Sequence, residues 1–193
     1  MAPGPSTDTA LPPALAEVLV DVAWRAVRAG LDDGAPLVVR AADYPDQLRT
    51  PRATFVTLQR RGDLRGCIGS LVARRPLVED VAHNAYAAAF SDPRFPPLAR
   101  HELEGLDVHL SVLSPMEPLT FRSEADLLGQ IRPGVDGLLL EEGRHVGTFL
   151  PSVWESLPDA ETFWRALKRK AGLPADYWSP SLRVSRYTAA SVP

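Results

Sequence analysis

An α+β fold, mostly antiparallel sheet with flanking helices, is predicted by three observations. Apolar and β-branched runs come in close pairs: Thr54 to Leu58 with Leu64 to Ser70 across a turn holding Gly62, and Val135 to Leu140 with Arg144 to Phe149 across Glu-Glu-Gly. Each pair reads as a hairpin. Single amphipathic helical stretches separate these pairs, and the regular strand-helix alternation that a parallel sheet requires is missing.

The first ten residues carry Pro, Gly, Ser and Thr with little to bury, so 1–10 is expected to be a disordered tail and 11–193 a single domain. Pro12-Pro13 opens a helix whose apolar face is Leu15, Val18, Leu19, Val22 and Ala26, with Gly30 as its stop. Residues 31–52 read mostly as loop. After the first hairpin, Pro76 suits a first helical turn, and Leu77, Val81, Asn84 and Ala88 fall on one stripe reaching Phe90. That helix cannot pass Asp92-Pro93, because proline restricts its predecessor and lacks a donor.

Leu106, Val108, Leu110 and Val112 alternate with Asp107, His109 and Ser111, the pattern of a half-buried strand with His109 on its polar face. Ser123 with Asp126 three residues on resembles a capping box for a short helix ending before Pro133-Gly134. Pro151 restarts helix, Phe163, Trp164, Leu167 and Ala171 line the next helical face, and Leu182 to Thr188 reads as the last strand.

At 193 residues the chain can bury one substantial core, and hydrophobic and charged shares of 45% and 23% are ordinary for a globular protein. A net charge of -3 gives no bulk reason to expect nucleic acid or membrane as partner. The basic run Arg165, Lys168, Arg169 and Lys170 closes a helix, where cations complement the dipole, and it lacks the interleaved aromatics of a nucleic-acid surface. One cysteine makes no internal disulfide and no signal-peptide pattern or membrane span is read, so the expected location is the cytoplasm.

Chemistry concentrates at Leu64-Arg65-Gly66-Cys67-Ile68-Gly69. Strict alternation along a strand puts Arg65 and Cys67 on one face and sends Leu64 and Ile68 to the core. A neighbouring guanidinium favours the thiolate, the nucleophilic form, and the flanking glycines let a ligand approach the backbone. The competing reading is a small buried hydrophobe.

Three stretches extend this motif: Phe55-Val56-Thr57-Leu58 leading into LRGCIG, Ala87 to Leu98 containing DPRFPPL, and Gly147-Thr148-Phe149-Leu150-Pro151 with Val153-Trp154 and the Lys170 to Leu173 helix end. On these the chain resembles the AmmeMemoRadiSam system protein A family, whose module is the AMMECR domain, from about residue 12 to the C-terminus. The resemblance implies a larger lobe built from both termini, a smaller middle lobe and a cleft between them. It also implies a Memo-type protein and a radical-SAM protein as functional partners.

Nucleophilic use of Cys67 needs an activator, and spacing alone brings none of His83, His101, His109 or His145 to it. One cysteine with scattered histidines does not form a structural zinc site, and Gly66-x-x-Gly69 is not a phosphate loop. No metal and no cofactor are therefore assigned. Asp92 pairs with Arg65 or Arg94 as an internal lock, or one arginine binds an anionic ligand beside Cys67.

The leading expectation is an enzyme or enzyme component that takes a small anionic or modified substrate in the inter-lobe cleft. Cys67 is then nucleophile or covalent acceptor, Arg65 its activator or an anion clamp, and Gly66, Gly69, Asn84, Asp92 and Arg94 substrate contacts. The alternative is a non-catalytic adaptor for protein or RNA in which LRGCIG is structural.

Overall fold

The computed structural model describes residues 11–192, so the tail expected at 1–10 lies outside the described residues. Two compact units emerge. One runs to Leu113 and takes back the chain from Ala190, and the other is Ser114–Ala189. The fold is α+β, each unit having its own four-stranded sheet and its own apolar core.

In the first unit, helix α1 (Pro13–Asp33) runs one turn past Gly30 and ends at Gly34, whose φ of 66° provides the left-handed cap. Gly30 has a different use: a side chain there would collide with the Phe90 ring, so the glycine lets α1 close on the second long helix. Residues read as loop contain a 3-10 turn at Ala41–Asp43 and a short helix, α2 (Asp46–Arg49), which buries Leu48. Strands β1 (Thr54–Arg60) and β2 (Asp63–Gly69) form the expected hairpin. Its tight turn holds Arg61 at φ 54° and Gly62 at φ 89°, the two positive values a primed turn needs.

Helix α3 (Leu77–Phe90) lays Leu77, Val78, Val81, Ala82, Ala85, Ala88 and Ala89 on the core, and β3 (Leu106–Leu113) pairs antiparallel with β1.

The second unit contains β4 (Glu117–Pro118), α4 (Glu124–Gln130), β5 (Gly137–Glu142), β6 (His145–Phe149), α5 (Ala160–Lys170) and β7 (Arg183–Tyr187), with sheet order β4-β7-β5-β6. Ser123 Oγ accepts from the Asp126 amide at 3.1 Å, the N-cap expected there, and Asp159 caps α5 in the same way. The core stacks Trp154 on Phe163, with centroids 3.8 Å apart. Lys168 is buried, but its Nζ is held by Glu124 at 2.6 Å and by the Tyr177 carbonyl.

The chain then returns. Strand β8 (Ala189–Val192), which the sequence does not separate from β7, completes the first sheet in the order β2-β1-β3-β8.

Candidate functional site around Cys67

The hairpin that carries LRGCIG is not a regular ladder. Leu58 faces Gly66 while Gln59 faces Leu64, so Arg65 is an extra residue in β2, a β-bulge. The bulge corrects the alternation argument. Ile68, opposite Val56, packs on the core as expected, but Leu64 has rotated to the outward face beside Gln59 and is 44% exposed. One inserted residue reverses the facing of everything beyond it.

Arg65 is buried and does not serve the thiol. Its Nε and Nη2 form a bidentate pair with Glu102 at 2.7 and 2.9 Å, and Nη2 also donates to the Pro96 carbonyl at 3.0 Å. Glu102, which no sequence signal singled out, is completed by the Ala99 amide at 2.8 Å. The Arg65 hydrogen bond, with the Ala99 amide adding to it, pulls the Glu102 carboxyl down to about 2 against the opposing effect of burial. Nη1 of Arg65 is buried without a hydrogen-bond partner, and the guanidinium carbon lies 5.7 Å from the centre of the Phe95 ring.

The cation beside Cys67 is Arg94. Its Nη2 donates to the Cys67 carbonyl at 3.2 Å and to Asp92 Oδ2 at 2.7 Å, and its Nε donates to Asp92 Oδ1 at 3.0 Å. Of the two arginines weighed for Asp92, the ion pair is thus with Arg94. Asp92 also accepts from the Cys67 amide at 2.9 Å and the Arg94 amide at 3.0 Å, so one carboxylate ties the DPRF loop to the second strand. The Arg94 side-chain bond, reinforced by the two amides, holds the Asp92 carboxyl well below the usual carboxylate range although burial opposes it. The Asp92 hydrogen bond raises the Arg94 pKa in turn, against the opposing effect of burial. The Arg94 side chain remains 53% exposed, so its charge is presented at the surface as well as bound to Asp92.

Cys67 is half-buried and lies in a cross-strand row. Thr57 of β1 is its register partner, and His109 of β3 is the register partner of Thr57 on the other side. Thr57 Oγ1 donates to Cys67 Sγ at 3.3 Å. His109 is exposed on the same sheet face, about 10 Å from Cys67 by two strand spacings, so it shares the face without touching the thiol. Strand pairing, invisible in the chain order, brings this histidine into the row.

Three other predicted contacts are taken up by packing inside the unit. A side chain at Gly66 would collide with the Ala88 carbonyl of α3, and one at Gly69 would collide with the Phe55 ring. Asn84 is 2% exposed and its amide donates to the Thr54 carbonyl, Thr54 Oγ1, Ser70 Oγ and Asp80. Asp80, fully buried, accepts from Thr54 and Ser70 as well. This network joins α3 to the start of β1 and the end of β2. Among the described residues no group of three or more His, Cys, Asp or Glu is placed to hold a metal, and no helix is long and apolar enough to cross a membrane.

These features define an α+β protein with a thiol on the outward face of a sheet, clamped through its backbone by an aspartate-arginine pair. The chain belongs to the AMMECR1 family, whose model matches residues 20–192. A protein of Methanothermobacter thermautotrophicus is 46% identical over 153 residues, covering 76% of this chain and 78% of that relative. One from Thermofilum pendens is 38% identical over 188 residues, covering 89% and 86%. Among solved structures, an uncharacterised protein of Pyrococcus horikoshii matches with a TM-score of 0.86 at 36% identity, over 94% of this chain and 92% of that one.

Proposed function

We propose that this protein acts as an enzyme or enzyme component that binds a small anionic or modified substrate on the sheet face at Cys67. Arg94 is the anion contact and Cys67 the nucleophile. The observation that supports this reading is the half-exposed Arg94 guanidinium, fixed by Asp92 against the Cys67 carbonyl. In this role the thiol loses its proton to solvent, and sulfur gives its electron pair to an electrophilic centre whose leaving group departs with its own bonding pair. Arg65 is then a positioning residue that fixes the bulge through Glu102. The Memo-type and radical-SAM partners implied by the resemblance belong to this proposal.

The adaptor reading is favoured by one observation, the internal pairing of Arg65 with Glu102 and Pro96. Thiol labelling of the native chain separates the two. The enzyme reading expects Cys67 to label without denaturant, and Arg94→Ala to slow labelling by the anionic reagent iodoacetate at least about threefold more than labelling by neutral iodoacetamide, because the anion contact is lost. Labelling only after denaturation, or an effect of Arg94→Ala that is the same for both reagents, would move the function to the adaptor.

A further inference from the structure

Helix α1 carries two apolar stripes, one fully buried in the core and one that packs against the core but is only partly covered. Leu19, Val22, Ala23, Ala26 and Val27 are fully buried. Ala16, Val20 and Trp24, spaced by four, form a second and partly exposed stripe. This stripe lines an open, mostly apolar groove of about 800 Å³, whose other wall is Ala190 and Val192 of β8. Strand β8 is the last strand of its sheet, so one row of its backbone donors and acceptors has no strand partner among the described residues. An apolar groove beside an open strand edge is the geometry for strand addition.

We infer that this groove and edge form the interface between two copies of the chain, joined about a two-fold axis by antiparallel pairing of β8 with β8 and of α1 with α1. The charge pattern of α1 selects this occupant. Glu17, Asp21, Trp24 and Arg28 follow one stripe at intervals of four, three and four, acidic toward the N-terminus and basic toward the C-terminus. Glu17 and Asp21 line the groove, while the Arg28 guanidinium lies over the Trp24 ring at 5.7 Å.

Antiparallel apposition sets Glu17 of each copy opposite Arg28 of the other, with Val20 and Trp24 between. An isologous interface requires this self-complementarity. The ten residues ahead of Leu11 are a poorer occupant. Pro3 and Pro5 remove two of the donors that strand addition uses, and the segment has no basic residue to meet Glu17.

Sedimentation equilibrium of the full chain through the micromolar range tests the inference. The expected mass is twice the 21.0 kDa of one chain. Glu17→Arg and Arg28→Glu, both at exposed positions, should each raise the dimer dissociation constant by at least about tenfold, and the double reversal should restore it. Circular dichroism melts verify that the variants stay folded. A chain that stays monomeric, or a dimer indifferent to the single reversals or not rescued by the double, overturns the inference. So does a chain shortened by residues 2–10 that dimerises where the full chain does not, because that result puts the N-terminal segment in the groove.

Discussion

Replacing Asp92 by asparagine keeps the shape of the side chain and removes its charge, which isolates the electrostatic part of the clamp on Cys67. The carboxylate is 4% exposed and accepts four hydrogen bonds: Arg94 N and Nε on one oxygen, Cys67 N and Arg94 Nη2 on the other. An amide offers one acceptor, and its NH2 must face donors on the other side. The Cys67 amide is fixed in a strand and cannot turn away, whereas Arg94 can swing into water. The amide oxygen should therefore stay on Cys67, where Arg94 Nη2 can still reach it without the charge, and the bonds from Arg94 N and Nε on the other side should be lost.

Breaking a fully buried pair costs about 3–5 kcal/mol and an exposed pair about 0–1. With one partner buried and the other 53% exposed, the expected cost lies between, at about 2–3 kcal/mol. For a chain of this length that lowers the melting midpoint by about 4–12 °C. Because the folded-state pKa of Asp92 is depressed, its contribution is present above the ordinary aspartate value of 3.8 and is lost as pH falls below it. Calorimetric melts of wild type and Asp92→Asn should therefore differ most near pH 7 and converge in acid. A midpoint lowered by less than about 2 °C at neutral pH, or a gap that does not narrow, would refute the reasoning.

Glu102→Gln should lower stability at neutral pH and flatten the acid limb. The Glu102 contribution is present above 4.5 and disappears as pH falls through about 2, so urea titrations at stepped pH should show the variant losing less between those values. Gly66→Ala should destabilise by about 1–3 kcal/mol, because the atom in its way is the Ala88 backbone carbonyl, which cannot rotate aside. Gly129→Ala, on α4 with open space around it, should be neutral or stabilising by up to about 1 kcal/mol in the same urea melts.

Local rules made most of the elements legible. The alternation of Leu106 to Leu113, the Gly62 turn and the Ser123 cap are set by residues a few positions apart, and each element stands where the pattern predicts. The family was readable too, since LRGCIG and DPRFPPL are contiguous.

Long-range packing decided the rest. Whether Gly30 ends a helix or clears space for Phe90 depends on a residue sixty positions away, and α3 supplies it. The bulge at Arg65 depends on how two strands pair, and it alone turned Leu64 outward. The partner of Arg65 proved to be Glu102, and the cation at Cys67 proved to be Arg94, because ion pairing follows distance in space, which charge type in a sequence does not specify. His109 joins the row of Cys67 only through two strand registers, and β8 returns to the first sheet because its edge beside β3 accepts the strand. Periodicity tells which face of an element is apolar, but only the assembled core determines what that face meets.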